Sequence, residues 1–309
     1  MYHIFVNPSS RSGKGRAVWT KAETYFKEHH IPYELHYTKK NAPTRPEFEA
    51  ILQKDNEQTI PILVIGGDGT LNQCINGISE PERFSLSYLP AGSGNDFIRN
   101  KKLPASLSAK LDSILARHNE ILIDIGTVTL KAADGQSICR NFLVSSGLGY
   151  DAEICHVVNT SHLKERLNKL HLGKIAYLLV GLKNLFATKV CDMEVTENGQ
   201  AKTYPAVFFI TALNQPYEGG GLPMAPAATD TDGRLSFLIV YGMNRLQALR
   251  MIPALTAGRH IGKRGIHLTD GTELTVTMPF PKAIHSDGEY LGDYTKYHIA
   301  LGKKIKFIY

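Results

Sequence analysis

Cysteine is scarce in this chain, and long apolar runs are absent. Cys74, Cys139, Cys155 and Cys191 are the four cysteines among 309 residues, and no two form a Cys-x-x-Cys pair. That spacing speaks against a disulfide framework or a cysteine-rich zinc site, and buried free thiols in a reducing compartment are the expectation. The best apolar stretches, residues 175–182 and 204–213, fall well short of the roughly 20 residues needed to cross a bilayer. No basic segment followed by an apolar one opens the sequence, so no secretory signal is expected. There is no internal repeat and no low-complexity tract, which excludes a solenoid, a fibre or a long disordered arm. Charge of one sign is not concentrated either: Lys+Arg 35 against Asp+Glu 29 leaves a formal +6 with no basic arm. That excess suits nucleotides, phosphates or an anionic membrane surface without selecting among them. With no recognition module in view, nucleic-acid binding is not expected.

What is present is an ordinary globular composition, 43% hydrophobic and 21% charged, on a chain long enough for two domains at roughly 150 residues each. The first 124 residues alternate strand and helix signals. Strand-like stretches at 2–6, 33–37, 61–65 and 86–89 are separated by helical patterns at 16–29, after Pro46 and after Gly69. This alternation predicts a doubly wound α/β domain over residues 1–124. From 125 to 309 the chain is β-rich, with strands expected at 125–130, 141–145, 193–196, 206–213, 235–240, 273–277 and 304–308. Helical patterns interrupt near 163–186 and 246–257, so a β-sandwich or distorted barrel with inserted helices is predicted.

The chemistry-bearing residues gather where strands end. Residues 62–65 run straight into Gly66-Gly67-Asp68-Gly69-Thr70-Leu71-Asn72, and a helical pattern begins at once. Glycines lack a Cβ, so the backbone is free to take positive φ and approach a phosphate closely. The new helix N-terminus offers N–H groups and a partial positive charge. Asp68 is expected to orient a magnesium ion through water, and Thr70 and Asn72 to bond phosphate oxygens; a tight turn capped by an Asp is the alternative. Leu89-Pro90-Ala91-Gly92-Ser93-Gly94-Asn95-Asp96-Phe97 repeats the logic of strand, glycine turn and helix start, with an ordinary Asn or Asp N-cap as its alternative. Ligands bind outside the carboxyl ends of strands in such sheets, and two loops there would face one cleft. The first loop is not a P-loop, because Gly15 follows Gly13-Lys14 and no Gly stands five residues before Gly13. Late in the chain, Asp287-Gly288-Glu289 is either a site for a general base or simply a hairpin turn. In an extended segment Asp287 and Glu289 would share a face, and mutual repulsion would raise one pKa. Residues 162–171 are basic and amphipathic, fit to rest on an anionic surface or to pack on the sandwich with a solvated face.

Several motifs together make the sequence resemble the diacylglycerol kinase catalytic family of lipid kinases, which includes bacterial soluble diacylglycerol kinases and the sphingosine and ceramide kinases. They are Asn7-Pro8 with its Ser/Gly turn, Thr38, Gly66 through Asn72, Pro90 through Arg99 and Asp124. Gly219-Gly220-Gly221 before Ala225-Pro226, Asp232-Gly233 and Asp287-Gly288-Glu289 complete the set. Gly-Gly-Asp-Gly-Thr is shared with NAD kinases; its pairing with Gly-Ser-Gly-Asn-Asp and a late Asp-Gly-Glu is the specific feature. The resemblance implies an α/β ATP-binding domain over 1–124 and a β-sandwich domain over 125–309, with ATP in the cleft between them and the extreme C-terminus able to pack back on the first. It implies ATP contacts from Asn7, Ser9, Thr38, Gly66, Gly67, Asp68, Gly69, Thr70, Leu71, Asn72, Ser93 and Asn95. It makes Glu289 the catalytic base, with Asp287, Asp68 and Asp124 in the catalytic set and the last two expected to hold magnesium near the phosphates. A further Mg2+ falls on Thr229, Asp232 and Arg234, through the Asp232 carboxylate and two main-chain carbonyls. The implied reaction is ATP-dependent phosphorylation of a lipid hydroxyl, diacylglycerol to phosphatidic acid, in a cytoplasmic protein that visits the membrane surface and leaves room for a homodimer. A kinase of a soluble acceptor and a catalytically silent nucleotide-binding regulator are the alternatives. Three positions depart from the family pattern: Ser93 replaces Thr, Arg11 stands where Gly is common, and adjacent aspartates are split as Asp230-Thr231-Asp232.

Overall fold

The computed structural model describes residues 1–39, 42–131, 137–160 and 181–309. The chain forms two units, one of Met1–Ile125 with Lys303–Tyr309 and the other of Gly126–Gly302. Two strands run from one unit into the other, β5 (Glu120–Lys131) and β14 (Glu289–Ile308).

The first unit contains β1 (Tyr2–Val6), α1 (Lys14–Glu28), β2 (Tyr33–Tyr37), α2 (Arg45–Lys54), β3 (Ile60–Gly66), α3 (Asp68–Gly77), β4 (Phe84–Pro90) and α4 (Leu107–Leu115). Its sheet is parallel in the order β2-β1-β3-β4, and Lys306, Phe307 and Ile308 of β14 add a parallel edge beside Ser85, Leu86 and Ser87. The central strand β3 is buried at every position because helices cover both faces of the sheet. On one face Trp19, Ala22 and Phe26 of α1 and Leu111 and Ile114 of α4 pack on Ile4, Val6, Leu63, Ile65 and Leu89. On the other, Phe48 of α2 stacks on Phe5 at 4.6 Å and meets Phe84 edge-on at 5.4 Å. Each of these fully buried side chains contributes roughly 1.5–3 kcal/mol. Chain order reverses between β2-β1 and β3-β4, so the carboxyl ends of β1 and β3 form a topological switch point.

The expected helix directly after Gly94 does not form. Residues 91–106 run through turns, and the next helix is α4, capped by the Ser106 hydroxyl, which accepts the Ala109 N–H at 3.1 Å. Asn95 takes φ 51°, and the Asp96 carboxylate holds Arg99 at 3.0 Å, so local side-chain bonds replace helical ones.

The second unit adds β6 (Ser137–Phe142), β7 (Ser145–Gly149), α5 (Tyr150–Thr160), β8 (Cys191–Glu197), β9 (Gln200–Val207), β10 (Phe209–Leu213) and β11 (Leu235–Val240). It continues with α6 (Arg245–Thr256), β12 (Ile266–Gly271) and β13 (Glu273–Ser286). One antiparallel run is β12-β11-β10-β7-β13-β14; the first half of β13 also pairs with β8, which pairs with β9. Phe142, Leu148, Tyr204, Ile210, Phe237, Val276, Ile284 and Tyr297 sit in its core. Two expected strands are broken in ways the sequence pattern does not mark. The 141–145 stretch splits at Leu143 and Val144, whose N–H groups turn to a side chain described below. The 206–213 stretch splits at Phe208, just after Ala206 takes φ 46°, so that β9 pairs with β8 while β10 pairs with β7 and β11. Strand β12 and helix α5 were not expected. Most of the expected 163–186 helical pattern, and the basic stretch 162–171, lies outside the described residues; residues 181–187 are helical.

Candidate active site

Four loops leave the carboxyl ends of β1 to β4, and their polar side chains tie them to one another. Asn7, just after β1, donates from Nδ2 to the Thr70 hydroxyl at 3.1 Å, while its own N–H donates to Ile65 O at 2.9 Å. Thr38, after β2, donates its N–H to Val6 O at 2.9 Å. Asp68 accepts the Asp96 N–H at 3.0 Å, linking the loop after β3 to the loop after β4. Asn95 closes its own loop, accepting the Gly92 N–H at 3.0 Å and donating to Gly92 O at 3.1 Å.

The glycines serve close approach rather than positive φ. Gly67 is extended at φ −99°, yet a Cβ there would lie 3.1 Å from Gly92 Cα, and a Cβ on Gly92 would lie 2.5 Å from Gly67 Cα. Two loops therefore touch backbone to backbone, leaving a surface of main-chain atoms at the start of α3. No side chain caps that helix, because its N-cap is Gly67, and its first N–H groups and dipole form an anion-ready feature. Arg11 and Ser12 hold φ 43° and 55° before Gly13 at 97°, so Arg11 occupies a left-handed position that Gly would take without strain. Beside these loops Lys14, Lys21 and Lys110 line an open groove with Leu89 and Pro90. Burial, then Arg11 and Lys110, pull the Lys14 pKa down.

Not every expected contact residue is displayed equally. Ser9 and Ser93 are exposed, Gly66, Gly67, Gly69 and Asn72 frame the loop and the first turns of α3, and Thr70 and Leu71 are buried, at 3% and 1% exposure. Thr70 acts as a tie to Asn7, and Leu71 packs in the core. Asp124 is fully buried in β5, with Lys304 Nζ 3.0 Å from its carboxylate. Lys306 pairs with Ser85, and its neighbour Phe307 meets Phe97 of the loop after β4 edge-on at 4.9 Å.

In the second unit, the β13–β14 hairpin turns on Asp287 and Gly288, with φ 45° and 80°, the positive pair of a type I′ turn. The chain reverses there instead of staying extended, so Asp287 and Glu289 do not share a strand face. The Asp287 carboxylate accepts three N–H groups, from Leu143 at 3.0 Å, Val144 at 2.8 Å and Ser145 at 3.0 Å. Its own N–H donates to Ser145 O at 2.8 Å. This is the interaction that splits β6 from β7. Glu289, paired with Ser286 across the turn, is exposed, and its carboxylate has no hydrogen-bond or ion-pair partner among the described residues.

Behind the hairpin lies a buried polar network that the sequence reading missed. His285 Nε2 is 2.9 Å from Asp151 Oδ2 and 3.3 Å from Glu218 Oε1. The Ser145 hydroxyl donates to Glu218 at 2.6 Å, and the Gly288 N–H faces His285 Nδ1 at 3.2 Å, which can accept it only in the neutral ring. Burial disfavours the imidazolium, but Asp151 and Glu218 outweigh it and push the His285 pKa up to about 9. Gly147 is required here, since a Cβ would meet Asp151 Oδ2 at 2.5 Å and His285 Nε2 at 2.7 Å. The only sequence signals were Glu218 preceding the triple glycine and His285 standing two residues before Asp287. At residues 229–234, Asp232 is exposed and accepts the Arg234 N–H at 3.0 Å, while Thr229 meets the Thr231 hydroxyl at 3.1 Å.

Comparison with known proteins agrees with the division of labour. Residues 1–128 match the diacylglycerol kinase catalytic domain, and residues 143–307 match the YegS C-terminal NAD kinase beta sandwich-like domain. The chain belongs to the diacylglycerol kinase family. A diacylglycerol kinase of Staphylococcus haemolyticus is 26% identical over 292 residues, 94% of this chain and 82% of that protein. A diacylglycerol kinase of Bacillus subtilis is 28% identical over 232 residues, 75% of this chain and 71% of the other. Among solved structures, a Bacillus anthracis protein covers 100% of this chain and 96% of its own with a TM-score of 0.75 at 21% identity. A yeast NADH kinase shares the fold at a TM-score of 0.52 and 9% identity, covering 100% of this chain and 83% of its own. Membership of the diacylglycerol kinase family fits a fold in which an α/β unit carries glycine loops and a β-sandwich unit carries the Asp-Gly-Glu hairpin. No helix among the described residues is long and apolar enough to cross a membrane.

Proposed function

We propose that this protein is an ATP- and Mg2+-dependent lipid kinase that transfers the γ-phosphate of ATP to a lipid hydroxyl, with diacylglycerol as acceptor and phosphatidic acid as product. The observation that carries this reading is Glu289. It is an exposed carboxylate without a partner among the described residues, set on the first residue after a turn that Asp287 fixes by three hydrogen bonds. Phosphoryl transfer needs alignment, charge neutralisation and an acceptor for the hydroxyl proton. As the lipid oxygen bonds to the γ-phosphorus, the bridge to ADP breaks and Glu289 takes the hydroxyl proton, which then passes to water. Asp287 holds the turn; its carboxylate is committed to three amides.

The phosphates are assigned to the uncapped start of α3 and the Gly67–Gly92 surface, where Ser93 is exposed and Asp68 stands half-buried at the loop junction. The cationic groove of Lys14, Lys21 and Lys110 adjoins this surface. Bound Mg2+ supplies charge neutralisation at phosphate oxygens. Asp68 and Asp124 are the carboxylates of the first unit offered for it, and Asp232 with the Thr229 and Arg234 carbonyls is an all-oxygen set of the kind Mg2+ accepts. Contact with a membrane surface is supported by exposed Phe186, Leu246 and Ile261 in the second unit, where Arg250, Lys263 and Arg264 line the groove beside α6. The setting proposed is cytoplasmic, with transient peripheral contact.

The test is transfer of label from γ-labelled ATP to a panel of diacylglycerol, sphingosine, ceramide, phosphatidylglycerol, polyprenol and NAD. Label in diacylglycerol supports the proposal, label in another lipid moves the acceptor, and label in NAD alone overturns it.

A further inference from the structure

We propose that His3, Glu34 and His36 form a binding site for a divalent transition-metal ion, with Zn2+ as the occupant their chemistry fits best. Strands β1 and β2 pair in parallel with His3 opposite Glu34 and Phe5 opposite His36. Residues two apart on a strand share a face, so the three side chains meet on one side of the sheet edge. His3 Nδ1 lies 3.3 Å from His36 Nε2 and 3.7 Å from Glu34 Oε2, and the three ligand atoms all fall within 4.8 Å of one another. A tetrahedral zinc with Zn–N bonds of about 2.0–2.1 Å separates two ligand nitrogens by about 3.3 Å, so the imidazole pair already spans one edge of such a site.

The surroundings favour a ligand role over a plain histidine pair. His3 is 2% exposed, and its Nε2 has no hydrogen-bond partner among the described residues while facing Asp55 Oδ2 at 3.7 Å. A carboxylate on that side draws the ring proton to Nε2 and leaves the Nδ1 lone pair turned to His36 and Glu34, the outer arrangement common to metal-bound histidines. The His36 ring is fixed by stacking on Phe5 at 4.7 Å, and Phe5 in turn stacks on Phe48. Glu34, Asp55 and Glu47 surround the pair with negative charge, against Lys54 and the N-terminus. Strand β2 is the sheet edge and the Glu34 side chain is 41% exposed, so an ion can enter from solvent. Two imidazoles and one carboxylate suit Zn2+ and not Mg2+, and a water completes the fourth position.

The experiment is calorimetric titration of the metal-free full chain with Zn2+ in millimolar Mg2+, beside His36→Phe, which keeps a ring on Phe5, and Glu34→Gln. The expected result is one equivalent bound by the parent and at least about tenfold weaker binding in each variant, with the metal-free melting curve of Glu34→Gln unchanged. Co2+ in the site should give four-coordinate visible bands without thiolate charge transfer. Absence of stoichiometric uptake by the parent, or parental uptake by Glu34→Gln, would overturn the proposal. So would a thiolate band, which would put the ion at Cys155, beside Asp151 and His285.

Discussion

Replacing Asp287 should damage folding before it touches chemistry. Its carboxylate accepts the N–H groups of Leu143, Val144 and Ser145, at 3.0, 2.8 and 3.0 Å. Hydrogen bonds to a charged acceptor contribute about 1.5–3 kcal/mol each, and water can replace part of that at a half-buried residue, so Asp287→Ala should cost about 3–5 kcal/mol. Alanine at φ 45° adds strain of about 1 kcal/mol. Asp287→Asn keeps the two bonds to Oδ1 and tolerates the turn, but sets an amide NH2 against the Leu143 N–H; about 1.5–3 kcal/mol is expected. Urea unfolding followed by far-ultraviolet circular dichroism reads this loss. Emission of Trp19, the single tryptophan, reports on the first unit and should shift less. An Asp287→Asn protein with parental unfolding midpoints and no activity would refute this assignment and return Asp287 to the proton-transfer step.

Three further outcomes are expected. Gly67→Ala drives a Cβ to 3.1 Å from Gly92 Cα, so thermal protection by Mg·ATP should fall while the fold persists; full protection would remove the phosphate assignment from this loop. His285 has a folded pKa of about 9, above the ordinary 6.5, so its stabilisation is complete below pH 6.5 and is lost as pH rises through 9. The stability gap between parent and His285→Gln should shrink by roughly 2–3 kcal/mol from pH 6 to pH 10, and a gap independent of pH would deny the charged imidazole. Lys304→Met removes the half-exposed cation 3.0 Å from the fully buried Asp124 carboxylate and should destabilise by about 1–3 kcal/mol; a neutral effect in urea melts would show that the remaining surroundings satisfy Asp124.

How much of this was legible in the sequence depended on range. The β1-to-β4 alternation and the glycine loops are local signals, since a buried parallel strand and a glycine turn are written in consecutive residues. The fifth parallel strand is not: Lys306, Phe307 and Ile308 find Ser85, Leu86 and Ser87 across more than two hundred positions. The same holds for Asp287, whose partners lie more than 140 residues earlier and whose Asp-Gly spelling reports only the turn. Thr70 and Leu71 were legible as members of a motif but not as buried residues, because spacing does not say which face of α3 meets the core. Asp151, Glu218 and His285 were illegible as a group: each is an isolated titratable residue until β7, β10 and β13 bring them together. The expected helix after Gly94 failed because Asn95 and Asp96 bond to their own loop and to Arg99, a competition that spacing alone does not rank.

The most direct test of the proposed chemistry is turnover by Glu289→Gln. The variant keeps the size of the side chain and one oxygen acceptor, and Glu289 makes no hydrogen bond among the described residues that the change would break. Folding and ATP affinity should therefore stay parental, while kcat for lipid phosphorylation falls at least about a hundredfold, the share of a general base. Near-parental turnover by Glu289→Gln, with diacylglycerol as acceptor, would contradict the account and require another group to accept the proton.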